Sequence, residues 1–152
     1  MDEWARFESD LSRHLREMPD ATHLWVTGPP RPKPSAAPWW WPGREKQVPF
    51  RARFNRHGDL LYADLLGGPQ MGAEFPWTDP EHAALQKVGW SPPDPPPPLK
   101  GPYLRVYERR FEGFLDPGGL PEAVAREAAG LVIRTLREVV RATPQQVRIE
   151  QR

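Results

Sequence analysis

Cysteine is absent from this 152-residue chain. That excludes a disulfide framework, a thiol nucleophile and a cysteine-ligated zinc site. Net charge is nearly absent too: 21 basic and 20 acidic residues leave +1, so self-repulsion does not hold the chain open. No run of about 18 apolar residues occurs, and nothing reads as a bilayer span. The opening Met1-Asp2-Glu3 is acidic where a secretory leader carries a basic stretch and then an apolar one. These absences lead us to expect a cytoplasmic protein with no membrane association. What is abundant is proline, with 21 residues beside 12 glycines, just under the share that marks low complexity. A folded core with long Pro-rich excursions fits this balance, and the length is that of one domain.

Charge is spread unevenly. Residues 29–56 hold seven cations (Arg31, Lys33, Arg44, Lys46, Arg51, Arg53 and Arg56) against Glu45 alone, whereas residues 1–28 lean acidic. An acidic helix beside a basic strand accounts for this more simply than a nucleic-acid patch does.

The periodicity predicts a first helix, because Trp4, Phe7, Leu11, Leu15 and Met18 fall in one stripe that Pro19 closes. Residues 22–27 alternate as a strand, with Leu24 and Val26 on one side and His23, Trp25 and Thr27 on the other. Six prolines make residues 29–43 a loop insertion, and it carries Trp39, Trp40 and Trp41. Such a loop either folds back over the core or presents its aromatics to a partner. Val48, Phe50, Ala52 and Phe54 alternate with Pro49, Arg51 and Arg53, a half-buried strand with a basic outer face. Turn residues then lead into a return strand over residues 60–66.

Thr78-Asp79-Pro80-Glu81 reads as a capping box for a short helix closed by Gly89, with Trp90 packing on its last turn. Residues 92–98 are an extended polyproline connector of about 20 Å. Tyr103, Val106, Tyr107, Phe111 and Phe114 fit a helical face. Tyr103, Tyr107 and Phe111 also fit a strand, but the segment is read as a helix between the short helix and the last one. Pro121 opens a last long helix whose inner face is Ala125, Ala128, Val132, Leu136 and Val139. Residues 1–142 are thus expected to form a single α+β domain, an antiparallel sheet of three to five strands with helices packed on one face. Residues 143–152 form a tail or a short strand.

Catalytic chemistry finds no foothold. His14, His23, His57 and His82 each stand alone, without the one-turn pairing of a zinc helix. No nucleophile elbow, phosphate loop or dinucleotide fingerprint occurs, and Pro69 interrupts the glycine-rich stretch 67–72 where backbone amides would be needed. Asp59 and Asp64 would need burial together to do acid–base work, and a solvated strand edge explains them more cheaply. The expectation is no catalytic residue, no metal and no cofactor.

Several stretches resemble a known family. Residues 48–54 followed by 58–64, the capped helix running into Leu85-Gln86-Lys87-Val88-Gly89-Trp90-Ser91-Pro92-Pro93, the aromatic segment 103–111 and the closing helix 120–140 are together similar to the TY-chap family. These are small bacterial domains akin to type III secretion chaperones and YbjN-like proteins. The resemblance spans residues 1–142 and rests on packing features. It departs in the insertion 29–43 and in Val88, where the family has leucine. It implies a type III secretion chaperone-like fold and the capture of peptides or unfolded protein segments.

From this follows the expected function, a non-enzymatic peptide- or protein-binding module, a small chaperone or adaptor. Its contact face is placed at Trp25, Trp39, Trp40, Trp41, Arg51, Arg53 and Tyr62, with the arginines favouring an acidic client. Trp25 and Tyr62 serve equally well as core residues, and Arg51 and Arg53 as a solvated strand face. The alternative is anion or single-stranded nucleic-acid binding through residues 29–56, tryptophans stacking on bases while cations track phosphates. The near-neutral charge argues against it. A homodimer is compatible with the sequence.

Overall fold

The computed structural model describes residues 2–33, 40, 46–65, 75–92, 107–112 and 119–151. Helix α1 (Glu3–Glu17) begins where the Asp2 carboxylate accepts the Ala5 N–H at 2.7 Å, and it buries Leu11 and Leu15 along the stripe its spacing dictates. Strands β1 (His23–Lys33), β2 (Lys46–His57) and β3 (Leu60–Leu65) follow. Next come α2 (Asp79–Val88), β4 (Tyr107–Phe111), α3 (Glu122–Arg134) and β5 (Arg148–Gln151). The five strands form one antiparallel sheet in the order β4-β3-β2-β1-β5. The α+β architecture expected from the sequence is therefore the observed one.

Alternation decides what each face of the sheet meets. Leu24, Val26, Phe50, Ala52, Phe54, Leu61 and Ala63 point to one face and are buried in a single core with Leu11 and Leu15 of α1, Leu85 of α2 and Val132 of α3. A buried large apolar side chain contributes about 1.5–3 kcal/mol. The other face carries His23, Trp25 and Thr27 of β1, Arg51, Arg53 and Asn55 of β2, and Tyr62 and Asp64 of β3. Among the described residues no helix packs on it.

Two segments differ from the expectation. β1 runs on to Lys33, so the first part of the segment read as loop is strand, pairing Pro30 with Pro49, Arg31 with Val48 and Pro32 with Gln47. β5 pairs only with residues 24–27 of β1. Beyond them β1 has one unpaired side among the described residues, and proline is tolerated on such an edge. A register shift between Thr27 and Pro30 inserts one extra residue there. That bulge turns the following side chains over, and Arg31 arrives on the helical face.

The second difference is β4, a strand where the sequence pattern predicts a helix. Tyr107 and Phe111 are four residues apart, a spacing that satisfies both periods. Pairing with β3, Leu65 to Tyr107 and Leu61 to Phe111, settles it as extended. Arg109 stays on the helical face by donating to the Gly89 carbonyl at 3.2 Å and pairing with Glu127 at 3.3 Å. Tyr103, Val106, Phe114 and most of the polyproline connector lie outside the described residues.

The α2 N-terminus is the expected capping box. Thr78 Oγ1 accepts the Glu81 N–H at 3.4 Å, and Glu81 accepts the Thr78 N–H at 2.9 Å. Glu81 also receives both Arg31 guanidinium nitrogens at 2.7 Å, and Arg31 lies over Phe75 and Trp77. Burial alone would raise the Glu81 pKa. The hydrogen bonds and charge of Arg31 with the Thr78 amide outweigh it and hold the carboxyl below its ordinary 4.5. A lowered folded value means this stabilisation is full above 4.5 and is lost as pH falls through the folded value. The urea midpoint is therefore expected to fall between about pH 5 and pH 3, and to fall less in Glu81→Gln.

Candidate functional site

The uncovered face is built in rows, because antiparallel partners directly opposite each other share a face. One row runs Glu150–Trp25–Arg53–Asp64–Glu108 across β5, β1, β2, β3 and β4. On one side of it lies Arg148–Thr27–Arg51. On the other lies His23–Asn55–Tyr62–Arg110.

The centre of this face is polar, and its carboxylate is satisfied although Arg53 Nε is buried without a hydrogen-bond partner. Asp64, with 9% of its side chain exposed, accepts from Arg53 Nη2 at 3.0 Å and from Asn55 Nδ2 at 3.1 Å. The His23 ring and the Asn55 side-chain oxygen are hydrogen-bonded in turn. Arg53 lies over the Trp25 ring at 5.8 Å, and Arg110 over Tyr62 at 5.2 Å. Cation–π contacts of this kind hold flat aromatic surfaces in fixed orientation beside charged groups. The result is a pleated platform with two half-buried aromatics braced by arginines.

Of the seven residues expected to form the contact face, the structure brings four together: Trp25, Arg51, Arg53 and Tyr62. Arg51 is exposed and makes no ion pair among the described residues, whereas Arg53 is engaged by Asp64. Trp40 is 62% exposed, and Trp39 and Trp41 lie outside the described residues. Asn55, Asp64 and Arg110 are members of the face that the expected site did not include. Period-two alternation from Arg53 and Tyr62 gives the first two, and Arg110 follows only once β4 is recognised as a strand.

The basic segment 29–56 does not act as a unit. Arg31 points to the helical face and pairs with Glu81, and Arg56 donates to the Met18 carbonyl at 2.9 Å. Of its cations with described side chains, only Arg51 and Arg53 belong to the uncovered face. Those two also point away from α1, so the acidic first helix does not neutralise them. That simple account of the charge distribution is corrected: Arg53 is met by Asp64 on the neighbouring strand.

Elsewhere, a cleft of about 470 Å³ between α1 and α3 is lined by Glu8, Arg13, Arg16, Glu122 and Arg126. Arg126 pairs with Glu122 there, and Arg13 with Asp10 and Glu17. Among the described residues no group of three metal-ligating side chains forms, and no helix is long and apolar enough to cross a membrane.

A family model described as TY-Chap3, T3SS (YopN, CesT) and YbjN peptide-binding chaperone 3, matches residues 1–151. The match takes in β5, beyond the limit of the resemblance drawn from sequence. No curated protein and no solved structure matches the chain.

Proposed function

The chain belongs to the TY-Chap3 family, and on that premise we propose that it is a non-enzymatic module holding a protein or peptide client against the uncovered face of its sheet. The observation that carries this is the convergence of Trp25, Arg51, Arg53 and Tyr62 on one surface of the sheet that no helix covers among the described residues. Trp25 and Tyr62 offer flat apolar area with little side-chain entropy to lose. Asp64, the most buried carboxylate of the face, is committed to Arg53 and Asn55 and so serves geometry rather than proton transfer. The cysteine-free composition suits a cytoplasmic setting.

Face-on capture is favoured over addition of a strand at an edge. The outer edge of β4 is bridged by Ser91, which exchanges hydrogen bonds with Glu108 at 2.8 and 3.1 Å. Pro30, whose partner Pro49 also lacks an N–H, and Pro32 two residues on remove donors from the side of β1 that is unpaired among the described residues. Carboxylates Glu108, Asp64 and Glu150 share the central row with Arg53, an arrangement that works against a phosphate-tracking groove.

An array of unstructured peptides probed with the full chain tests the proposal. The double variant Trp25→Ala/Tyr62→Ala is expected to lose capture by about tenfold or more, with Arg51→Glu, at an exposed position, weakening capture of acidic peptides. Apolar capture should persist at moderate salt, where phosphate-driven binding collapses. Undiminished capture by the double variant would place the client elsewhere.

A further inference from the structure

We propose that the end of the uncovered face where Arg148, Thr27 and Arg51 stand side by side is an anion subsite. It takes an acidic side chain of the client, while Trp25 takes an apolar side chain two residues along. The inference rests on the peptide-binding reading above and adds the chemistry of the client.

Register places the three residues on adjacent strands, Arg148 opposite Thr27 and Thr27 opposite Arg51, about 4.8 Å from strand to strand. Two arginines therefore flank one threonine. Both are exposed, and neither is ion-paired among the described residues. The neighbouring row is different, because there Arg53 is neutralised by Asp64 and the acidic residues Glu108 and Glu150 share the face. Among the described residues, two arginines without an ion pair share a row only at the Arg148–Arg51 end. Arg110, in the third row, is a single cation lying over Tyr62.

Guanidinium groups donate and never accept, and the threonine hydroxyl can donate too. The matching ligand is an acceptor-only group with charge, a carboxylate held by charge-assisted hydrogen bonds. A run of phosphodiesters fits less well, since its next charges would fall on the row containing Glu150, Asp64 and Glu108. On β1 the side chains of Thr27 and Trp25 point the same way about 6.6 Å apart, and an extended client has the same repeat. The recognised pattern is therefore acidic–any–apolar along an extended segment.

Fluorescence anisotropy with the full chain tests this, using labelled Gly/Ser peptides that carry Asp-Ser-Leu, Asn-Ser-Leu or Lys-Ser-Leu, and oligothymidylate as a fourth probe. At low salt the Asp peptide is expected to bind about fivefold more tightly than the Asn peptide. The gap should close as salt rises. R51E/R148E should reverse the order in favour of the Lys peptide, with an unchanged melting curve because neither arginine is paired. Equal binding of the Asp and Asn peptides overturns the subsite and leaves the peptide-binding reading standing. Failure of all three peptides to bind overturns both. Tighter binding of oligothymidylate than of the Asp peptide overturns the carboxylate assignment.

Discussion

Trp90→Ala is expected to lower the unfolding free energy by about 3–5 kcal/mol, much of what a domain of this size possesses. Trp90 is 2% exposed and sits just past α2, where Gly89 takes a φ of 135° that a side chain would resist. Its N–H reaches back to the Leu85 carbonyl at 3.1 Å, and its indole donates to Thr135 Oγ1 at 2.8 Å. Thr135 is fully buried at the start of the π-helical turn Thr135–Val140 that continues α3, and its hydroxyl donates to the Leu131 carbonyl at 2.8 Å. One ring thus ties the end of α2 to the irregular part of α3. Truncation leaves a cavity, yet the threonine hydroxyl keeps its carbonyl, so most of the cost is lost packing.

Two further variants separate the contributions. Trp90→Phe keeps much of the ring volume and removes the donor, for about 1 kcal/mol of hydrogen bonding plus the volume lost. Thr135→Val keeps the shape and strands the indole N–H, at about 1–3 kcal/mol. Urea unfolding of the three variants should rank Trp90→Ala lowest by a clear margin. A loss below about 1.5 kcal/mol for Trp90→Ala would mean that the α2–α3 junction is held by something else.

Much of this fold was readable because its signals are local. The α1 stripe, the Thr78–Glu81 capping box and the β2–β3 hairpin each depend on residues a few positions apart. Trp25 and Tyr62 could be put on one face by alternation alone. Three features resisted for physical reasons. A strand containing Pro29, Pro30 and Pro32 is admissible only if one side is unpaired, and pairing is a property of the whole sheet. The face occupied by Arg31 depends on a one-residue bulge, which reverses every side chain after it. Tyr107 and Phe111 satisfy helix and strand periods alike, so only their β3 partners decide. Each error in placing a charge followed from one of these. Arg31 stands, by sequence, in a Pro-rich loop of the basic segment, and Arg110 is assigned to no face.

Asp64→Ala is expected to cost about 2–3 kcal/mol. Removing one member of a buried ion pair costs about 3–5 kcal/mol in full burial, and that figure is reduced here because a quarter of the Arg53 side chain is exposed. The loss has identifiable parts. Arg53 Nε is already buried without a hydrogen-bond partner, so after the substitution its guanidinium keeps, among the described residues, the Trp25 ring alone, with solvent at its exposed part. The Asn55 amide loses its acceptor as well. Replacing both charges, Arg53→Met with Asp64→Leu, removes the desolvation cost together with the attraction, and stability should return to within about 1 kcal/mol of the starting protein. Client capture should not return with it. Trp25 would have lost the cation lying over its ring, and the centre of the face its only ion pair among the described residues. A double variant with restored stability and weakened peptide binding would show that Arg53 and Asp64 are kept to shape the face, because an apolar pair holds the sheet together equally well. Full recovery of both properties would reduce the pair to a structural detail and leave binding to Arg51, Tyr62 and the aromatic surface of Trp25.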